Sequence, residues 1–174
     1  MIITKMIEKA SWVGGVISGL SILLMTGLIL LEILLRSITG ISTLICEEYA
    51  AYLLVVFGAM ALAYTLGSGG HIRVDLILSK LSPRARLIVD LICTITGFFV
   101  VVYLVVQSWG HWQGSLSSGQ TSMYYSKTPV WVPQIFIVLG TGLFALQLLS
   151  RIAALFRDLG AAASAKRAAE KDSL

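Results

Sequence analysis

The sequence predicts an all-α membrane protein with four transmembrane helices and a short interfacial helix between the second and the third. Four stretches without Asp, Glu, Lys or Arg fill most of the 174 residues, at 10–31, 49–70, 91–126 and 128–150. Each is longer than the roughly 20 residues that a helix needs to cross a hydrocarbon core of about 30 Å. Charged residues make up only 13% of the chain, so a separate soluble domain is not expected. We therefore treat 1–174 as a single membrane domain.

The boundaries of the four helices follow from glycine, proline and charge. The transmembrane segments are expected at about 12–35, 48–66, 87–110 and 130–150. Gly15 and Gly19 form a Gly-x-x-x-Gly pair, which allows close approach of helices in lipid. Gly67 lies at the predicted end of the second helix. Pro133 lies in the first turns of the fourth helix and is expected to kink it or delay its start.

Two further segments differ from the transmembrane helices. In 72–81 the apolar residues share one helical face and the charged residues lie towards the other, which favours a short amphipathic helix in the membrane interface. The alternative for this segment is a polar loop. The tail at 151–174 ends in an Ala-rich run, 161–174, for which a frayed helix and a disordered tail remain alternatives.

The basic residues predict the orientation of the chain in the membrane. The N-terminal segment, the connection between helices 2 and 3 and the C-terminal tail hold eleven Lys and Arg residues, whereas the other two connections hold only Arg36 and Lys127. Short cytoplasmic connections are the ones that carry an excess of Lys and Arg. Both termini are therefore expected in the cytoplasm, with membrane lipid headgroups as the partners of the basic residues. The net charge of +4 does not indicate binding to nucleic acid.

Four ionisable residues near the junction of helices 1 and 2 are the main candidate site residues. Glu32 is followed four positions later by Arg36, an order that favours an ion pair on one helix face. The alternative is that this pair orients the outer connection. Glu47 and Glu48 stand at the start of helix 2, where acidic residues are stabilised by the helix dipole. One of the two satisfies that role, and the second is expected to pair with Arg36 or with an external partner.

The remaining polar residues do not form a catalytic or cofactor site by their spacing. His71 and Asp75 are spaced i, i+4 and are expected to fix the turn that follows helix 2. Cys46 and Cys93 are the only cysteines, which is too few for a zinc site. His71 and His111 lie at opposite predicted faces of the membrane, so they do not match as axial haem ligands. No phosphate-binding loop or nucleophile group is recognisable, and no cofactor or enzymatic activity is expected.

Aromatic residues gather in the outer connections, among them Tyr124, Tyr125 and Trp131. Trp and Tyr favour the level of the lipid headgroups, so an aromatic belt is one interpretation. The other is that some of these rings face a partner protein outside the membrane.

Three motifs, in their order and spacing, resemble those of one family. This family is the small membrane subunit of tripartite ATP-independent periplasmic (TRAP) transporters, the DctQ-like or Q subunit. The first motif, R-x(n)-G-x(n)-E-E, consists of Arg36, Gly40, Glu47 and Glu48. The second is Gly58-Ala59 followed by a G-H-I-x-V-D signature, Gly70-His71-Ile72-Arg73-Val74-Asp75. The third precedes helix 4 and includes Lys127 and Trp131, within Lys127-Thr128-Pro129-Val130-Trp131-Val132-Pro133. The resemblance covers roughly 31–150, and Glu32 is not part of the pattern.

The resemblance implies a function and partners. TRAP systems take up organic anions, often carboxylates or sialic acids, with a sodium gradient. A periplasmic substrate-binding protein captures the substrate, and a large membrane subunit carries it across by an elevator motion. The small subunit is then expected to be a scaffold in the inner membrane that supports the large subunit and helps to dock the periplasmic protein. A stand-alone small transporter and a membrane anchor for a redox complex are the alternatives.

Overall fold

The chain folds into four long helices. The computed structural model describes residues 2–68 and 82–172, and within these ranges the helices are α1 (Ile2–Thr39), α2 (Cys46–Gly67), α3 (Pro83–Ser118) and α4 (Trp131–Asp172). All four are long and apolar enough to cross a membrane. This confirms the predicted all-α membrane fold with four transmembrane helices. The predicted interfacial helix at 72–81 lies outside the described residues.

Three helices extend well beyond the segments predicted to cross the bilayer. The α1 helix begins ten residues earlier than 12, α3 begins at Pro83, and α4 continues to Asp172. The start of α3 has a readable signal, because the Ser82 side chain accepts a hydrogen bond from the Ala85 N–H and proline occupies the first helical position. At 42 residues, α4 is about 63 Å long at 1.5 Å per residue, roughly twice the thickness of the hydrocarbon core.

Pro133 neither delays nor interrupts the fourth helix. The helix begins at Trp131, which makes Pro133 its third residue. The first four N–H groups of a helix have no partner within that helix, so a proline at this position removes no hydrogen bond. The buried Pro133 ring is therefore accommodated in the first turn, and α4 continues through it.

The helices pack in the order α1, α2, α4, α3. The α2 and α4 helices contact each other at the centre, α1 packs against α2 and touches α4, and α3 packs against α4. The two neighbouring pairs, α1 with α2 and α3 with α4, are antiparallel hairpins. We call the end with the connections 40–45 and 119–130 the connection end. The opposite end, where α1 and α3 begin and α2 and α4 finish, is the terminal end.

Small residues allow the helices to approach closely, although not all at the predicted positions. A Cβ at Gly140 of α4 would overlap the carbonyl oxygen of Ala59 in α2. A Cβ at Gly15 of α1 would lie 2.7 Å from the Tyr64 ring, whereas at Gly19 nothing lies within 4 Å. The Gly-x-x-x-Gly prediction was therefore right for Gly15 and wrong for Gly19, because the contact of α1 with α2 continues one residue earlier, through the Ser18 hydroxyl, which donates to the Phe57 carbonyl at 3.0 Å.

Candidate functional site

The connection between α1 and α2 is short and conformationally restricted. It is entered through Gly40, whose φ is +69° and whose N–H donates to the Arg36 carbonyl at 2.9 Å. Leu44 also has a positive φ, of 61°. A left-handed backbone costs a residue with a side chain roughly 1–2 kcal/mol, so other contacts must hold this loop in place.

Glu32 supplies those contacts. Its carboxylate accepts hydrogen bonds from the Ser42 hydroxyl at 2.7 Å, from the Thr43 N–H at 3.1 Å and from the Thr43 hydroxyl. The sequence predicted an ion pair with Arg36 on the same helix face. The hydrogen bonds of Glu32 instead go to the loop ten and eleven residues further on. Glu32 therefore orients the connection, a role that the alternative interpretation had given to Glu32 and Arg36 as a pair.

The connection between α3 and α4 forms a small antiparallel hairpin. Gly119 ends α3 in the left-handed region, with a φ of 62°. Ser122 donates its N–H to the Thr128 carbonyl at 2.8 Å, and Thr121 and Pro129 form an isolated β-bridge. The chain turns at 124–127, and Lys127, with a φ of 49°, is exposed at the end of the turn.

Glu48 fastens this hairpin to the start of α2. Its side chain is only 1% exposed. One carboxylate oxygen accepts from the Tyr52 hydroxyl at 2.7 Å, and the other accepts from the Ser126 hydroxyl across the contact between α2 and the hairpin. The Ser126 hydroxyl also lies 2.7 Å from that of Thr128, which in turn lies 3.4 Å from the Tyr49 hydroxyl. A buried carboxylate thus receives its hydrogen bonds from hydroxyl groups of two separate segments.

Glu47 and Glu48 are neighbours in sequence but have different environments. Glu47 is exposed, whereas Glu48 is buried. The start of α2 has no side-chain cap, because its N-cap residue is Ile45, so both carboxylates lie where the helix dipole favours negative charge. Glu48 therefore bonds to the hairpin and does not pair with Arg36, whereas for Glu47, which remains on the surface, pairing with Arg36 or an external partner stays a prediction.

A cleft of about 360 Å³ lies between the two connections. Arg36 and Glu47 line it with opposite charges, and Glu32 lies in its wall. Tyr124 and Tyr125 line the other side and are 51% and 83% exposed. The cleft therefore combines two acidic side chains, one basic side chain and two exposed aromatic rings, a composition suited to protein recognition.

The other predicted site residues lie around this cleft or outside the described chain. Trp131 is the half-buried first residue of α4, and Lys127 is on the hairpin, so both belong to the connection end. His71 and Asp75 lie outside the described residues. Among the residues that the structure describes, no group of three His, Cys, Asp or Glu side chains is placed to hold a metal ion.

Sequence reasoning missed one ion pair at the terminal end. Arg151 of α4 donates to the Asp90 carboxylate of α3 at 2.8 Å. The two residues are 61 positions apart, so no local pattern connects them. The available signal was that each stands at the edge of an uncharged stretch, on antiparallel neighbouring helices.

Comparison with known proteins identifies the family. The family model described as "Tripartite ATP-independent periplasmic transporters, DctQ component" matches residues 25–158, well over half of the chain. The chain belongs to the DctQ family. A search of curated proteins finds no match. The DctQ match includes both connections, Glu32, Glu48 and the cleft, and it identifies a multi-pass inner-membrane component of a transporter, from a family that is not enzymatic.

Proposed function

We propose that this DctQ component is the non-catalytic scaffold of a sodium-coupled uptake system for organic anions of the carboxylate or sialic-acid type. In this proposal it supports the large membrane subunit and presents its connection end to the periplasmic substrate-binding protein. The observation that carries the proposal is the connection end itself, where two buried or partly buried carboxylates hold both loops beside an exposed ionic and aromatic cleft.

The scaffold role is supported by where charges do not occur. A transporter that moves an anion through its own helices needs charged or polar groups, or broken helix ends, at the middle of the membrane. Between residues 91 and 126 and between 128 and 150 the chain has no Asp, Glu, Lys or Arg. The outward faces of the helices carry large exposed apolar side chains, such as Leu23, Phe99 and Val106. Such faces suit contact with lipid or with another membrane protein.

The docking role is supported by the cleft. Tyrosine and arginine are enriched where proteins bind each other, and opposite charges on a surface favour one orientation of the partner. Because Glu32 and Glu48 hold the two connections by hydrogen bonds, the cleft needs little ordering when a partner binds, which lowers the entropic cost of association.

The docking proposal is tested with the double variant Arg36→Glu, Glu47→Lys. We expect weaker binding of the periplasmic protein to the purified complex and slower uptake in proteoliposomes, because both charges of the cleft are reversed. Each rim charge alone is worth only about 0–1 kcal/mol, so the double variant is the decisive one. Arg157→Glu is the matched control, since it reverses an exposed charge at the terminal end. Binding and uptake equal to those of the unaltered complex would show that the cleft does not take part in docking.

The docking role also requires the connection end to face the periplasm. We expect reporter fusions at Ser42 and Ser118 to give a periplasmic signal and a fusion at Lys171 to give a cytoplasmic one, as the eleven-to-two distribution of Lys and Arg favours. The opposite pattern would place the cleft on the wrong side for a periplasmic partner.

The scaffold role is tested by the requirement for a partner. Affinity purification from native membranes should recover a larger polytopic protein in stable proportion, and the purified chain alone in liposomes should move no substrate. Sodium-driven uptake by the single chain would support the stand-alone transporter instead. A haem absorption band after purification would support the redox anchor.

A further inference from the structure

A second cleft, at the terminal end, is lined by two residues whose side chains each have a buried oxygen without a hydrogen-bond partner in the described part of the chain. It has a volume of about 190 Å³ and lies between the beginning of α1, the end of α2 and the inner part of α4. Its lining includes Glu8, Ser11 and Trp12 from α1, Tyr64 from α2 and Gln147 from α4. Three helices thus contribute to one small site, away from the connections at the other end.

Two buried polar atoms of this cleft have no hydrogen-bond partner in the described part of the chain. They are the Ser11 hydroxyl oxygen and the Gln147 side-chain carbonyl oxygen. Ser11 is 3% exposed and Gln147 is 9% exposed. Buried polar side chains nearly always have a partner, so two such atoms in residues that line one cleft point to a ligand that supplies one.

The Gln147 amide occupies space that a side chain at position 67 would fill. A Cβ at Gly67 would lie 2.7 Å from the Gln147 amide nitrogen. The end of α2 therefore leaves room for this amide, and its carbonyl oxygen is the group left without a partner. A carbonyl oxygen only accepts hydrogen bonds, so the ligand must donate them.

The charge and the aromatic surface of the cleft specify the donor further. Glu8 is exposed and contributes a carboxylate to the lining. The Trp12 ring is 59% exposed, and the face of an indole attracts a cation. A primary ammonium group meets all these conditions, because it is cationic and has three N–H donors for acceptors such as Ser11, Gln147 and Glu8.

The position of the cleft indicates a lipid as the source of the ammonium. Trp12 lies at the start of the uncharged stretch of α1, where tryptophan commonly marks the headgroup level of a membrane. Lys5 and Lys9 precede it on the same helix, within about one turn of Glu8, where a phosphate would have cationic neighbours. We propose that this cleft binds the headgroup of phosphatidylethanolamine, with the ammonium against Glu8, Ser11 and Gln147.

The unaltered protein allows a first test through the headgroup. The full chain, purified and stripped of lipid, is offered equal amounts of phosphatidylethanolamine, its mono- and dimethyl derivatives, phosphatidylcholine and phosphatidylglycerol, and retained lipid is measured by native mass spectrometry. Retention should fall as N–H donors are replaced by methyl groups, and phosphatidylglycerol should bind worst at this site. Equal retention of phosphatidylethanolamine and phosphatidylcholine would overturn the proposal.

Matched variants then locate the site. Gln147→Leu and Ser11→Ala should each weaken the binding of phosphatidylethanolamine about tenfold, the size of losing one hydrogen bond to a charged donor. The control Gln134→Leu removes another buried carbonyl oxygen without a partner, on the same helix but at the connection end. The control Ser21→Ala removes a buried hydroxyl that is already bonded within its own helix. Both controls should leave the preference intact, and equal losses in variants and controls would overturn the site.

Two further measurements distinguish the source of the ammonium. Competition with free ethanolamine and phosphoethanolamine tests whether the acyl chains contribute. We expect millimolar amounts to displace the lipid poorly, and full displacement would mean that the cleft binds a soluble amine. Binding is also compared with and without the large membrane subunit. If the preference for phosphatidylethanolamine were lost in the complex, a side chain of the large subunit would occupy the cleft in place of the lipid, and the proposal would be wrong.

Discussion

The two ends of this helical bundle are held together in different ways. At the connection end, the Glu32 carboxylate holds the loop that follows it in sequence. The Glu48 carboxylate holds the hairpin through Ser126, which lies 78 positions away. At the terminal end, α3 and α4 are joined by the Asp90–Arg151 ion pair, and Ser11 and Gln147 retain unpartnered oxygens. The difference lies in the source of the hydrogen-bond donors: the two connections supply donors to Glu32 and Glu48, whereas the Ser11 and Gln147 oxygens have no partner within the described residues.

The largest expected effect is in the contact between α2 and α4, on which both ends depend. Gly140→Ala places a methyl group onto the Ala59 carbonyl and forces two backbones apart, which should cost about 1–3 kcal/mol or more of stability. The control is Gly142→Ala on the same helix, because nothing lies within 4 Å of a Cβ there. It should be neutral or stabilise by up to about 1 kcal/mol, since alanine favours a helix more than glycine does. The measurement is thermal unfolding of the purified chain in detergent.

If Gly140→Ala unfolded at the same temperature as Gly142→Ala, the central contact would not hold the two hairpins together. The two hairpins would then be independent, and the comparison of the two ends would not apply to the bundle as a whole.

The second effect distinguishes Glu48 from its neighbour. Glu48→Gln should lower the unfolding temperature, because the amide replaces one accepting oxygen with a donor in a buried site that offers two hydroxyl donors. Glu47→Gln should leave it unchanged, because that side chain is exposed. Limited trypsin cleavage after Lys127 reports directly on the hairpin and should be faster only in Glu48→Gln. Equal cleavage of the two variants would mean that Glu48 does not hold the hairpin.

The smallest effect is expected at the terminal end. The side chains of Arg151 and Asp90 are 34% and 21% exposed, so solvent screens their attraction. Asp90→Arg and Arg151→Asp should each cost about 1 kcal/mol or less, and the double exchange should recover part of that loss. The free energy of unfolding is measured for the unaltered chain, the two single variants and the double variant. These four values give the coupling free energy between Asp90 and Arg151. A coupling larger than the cost of Gly140→Ala would contradict the view that the connection end and the central contact dominate.

The number of helices and the positions of their uncharged cores could be predicted from the sequence, because uncharged length is a property of one segment, whereas the extensions of α1, α3 and α4 beyond those cores were not predicted. The start of α3 was also readable from Ser82 and Pro83, although the prediction began that helix at 87. The G-H-I-x-V-D motif and the other two motifs led to the DctQ family, which the family match confirms.

The arrangement of the candidate site could not be predicted in the same way. The i, i+4 rule links Glu32 to Arg36, but the hydrogen-bond donors lie in a loop whose path depends on the positive φ of Gly40 and Leu44. The different burial of Glu47 and Glu48 depends on a hairpin that follows 70 or more residues later. Such contacts are set by how helices pack, and no periodicity in a single segment encodes them.

Within the described residues, the order α1, α2, α4, α3 gives two hairpins that are joined mainly by the seam between α2 and α4, with a smaller contact of α1 with α4. Each hairpin has its own short turn, and the seam between α2 and α4 is made by side chains and close backbones. In the membrane, each hairpin can insert as a unit before the two associate. A chain divided between Ser68 and Ser82 into two separately synthesised halves is therefore expected to reassemble through the contact of α2 with α4.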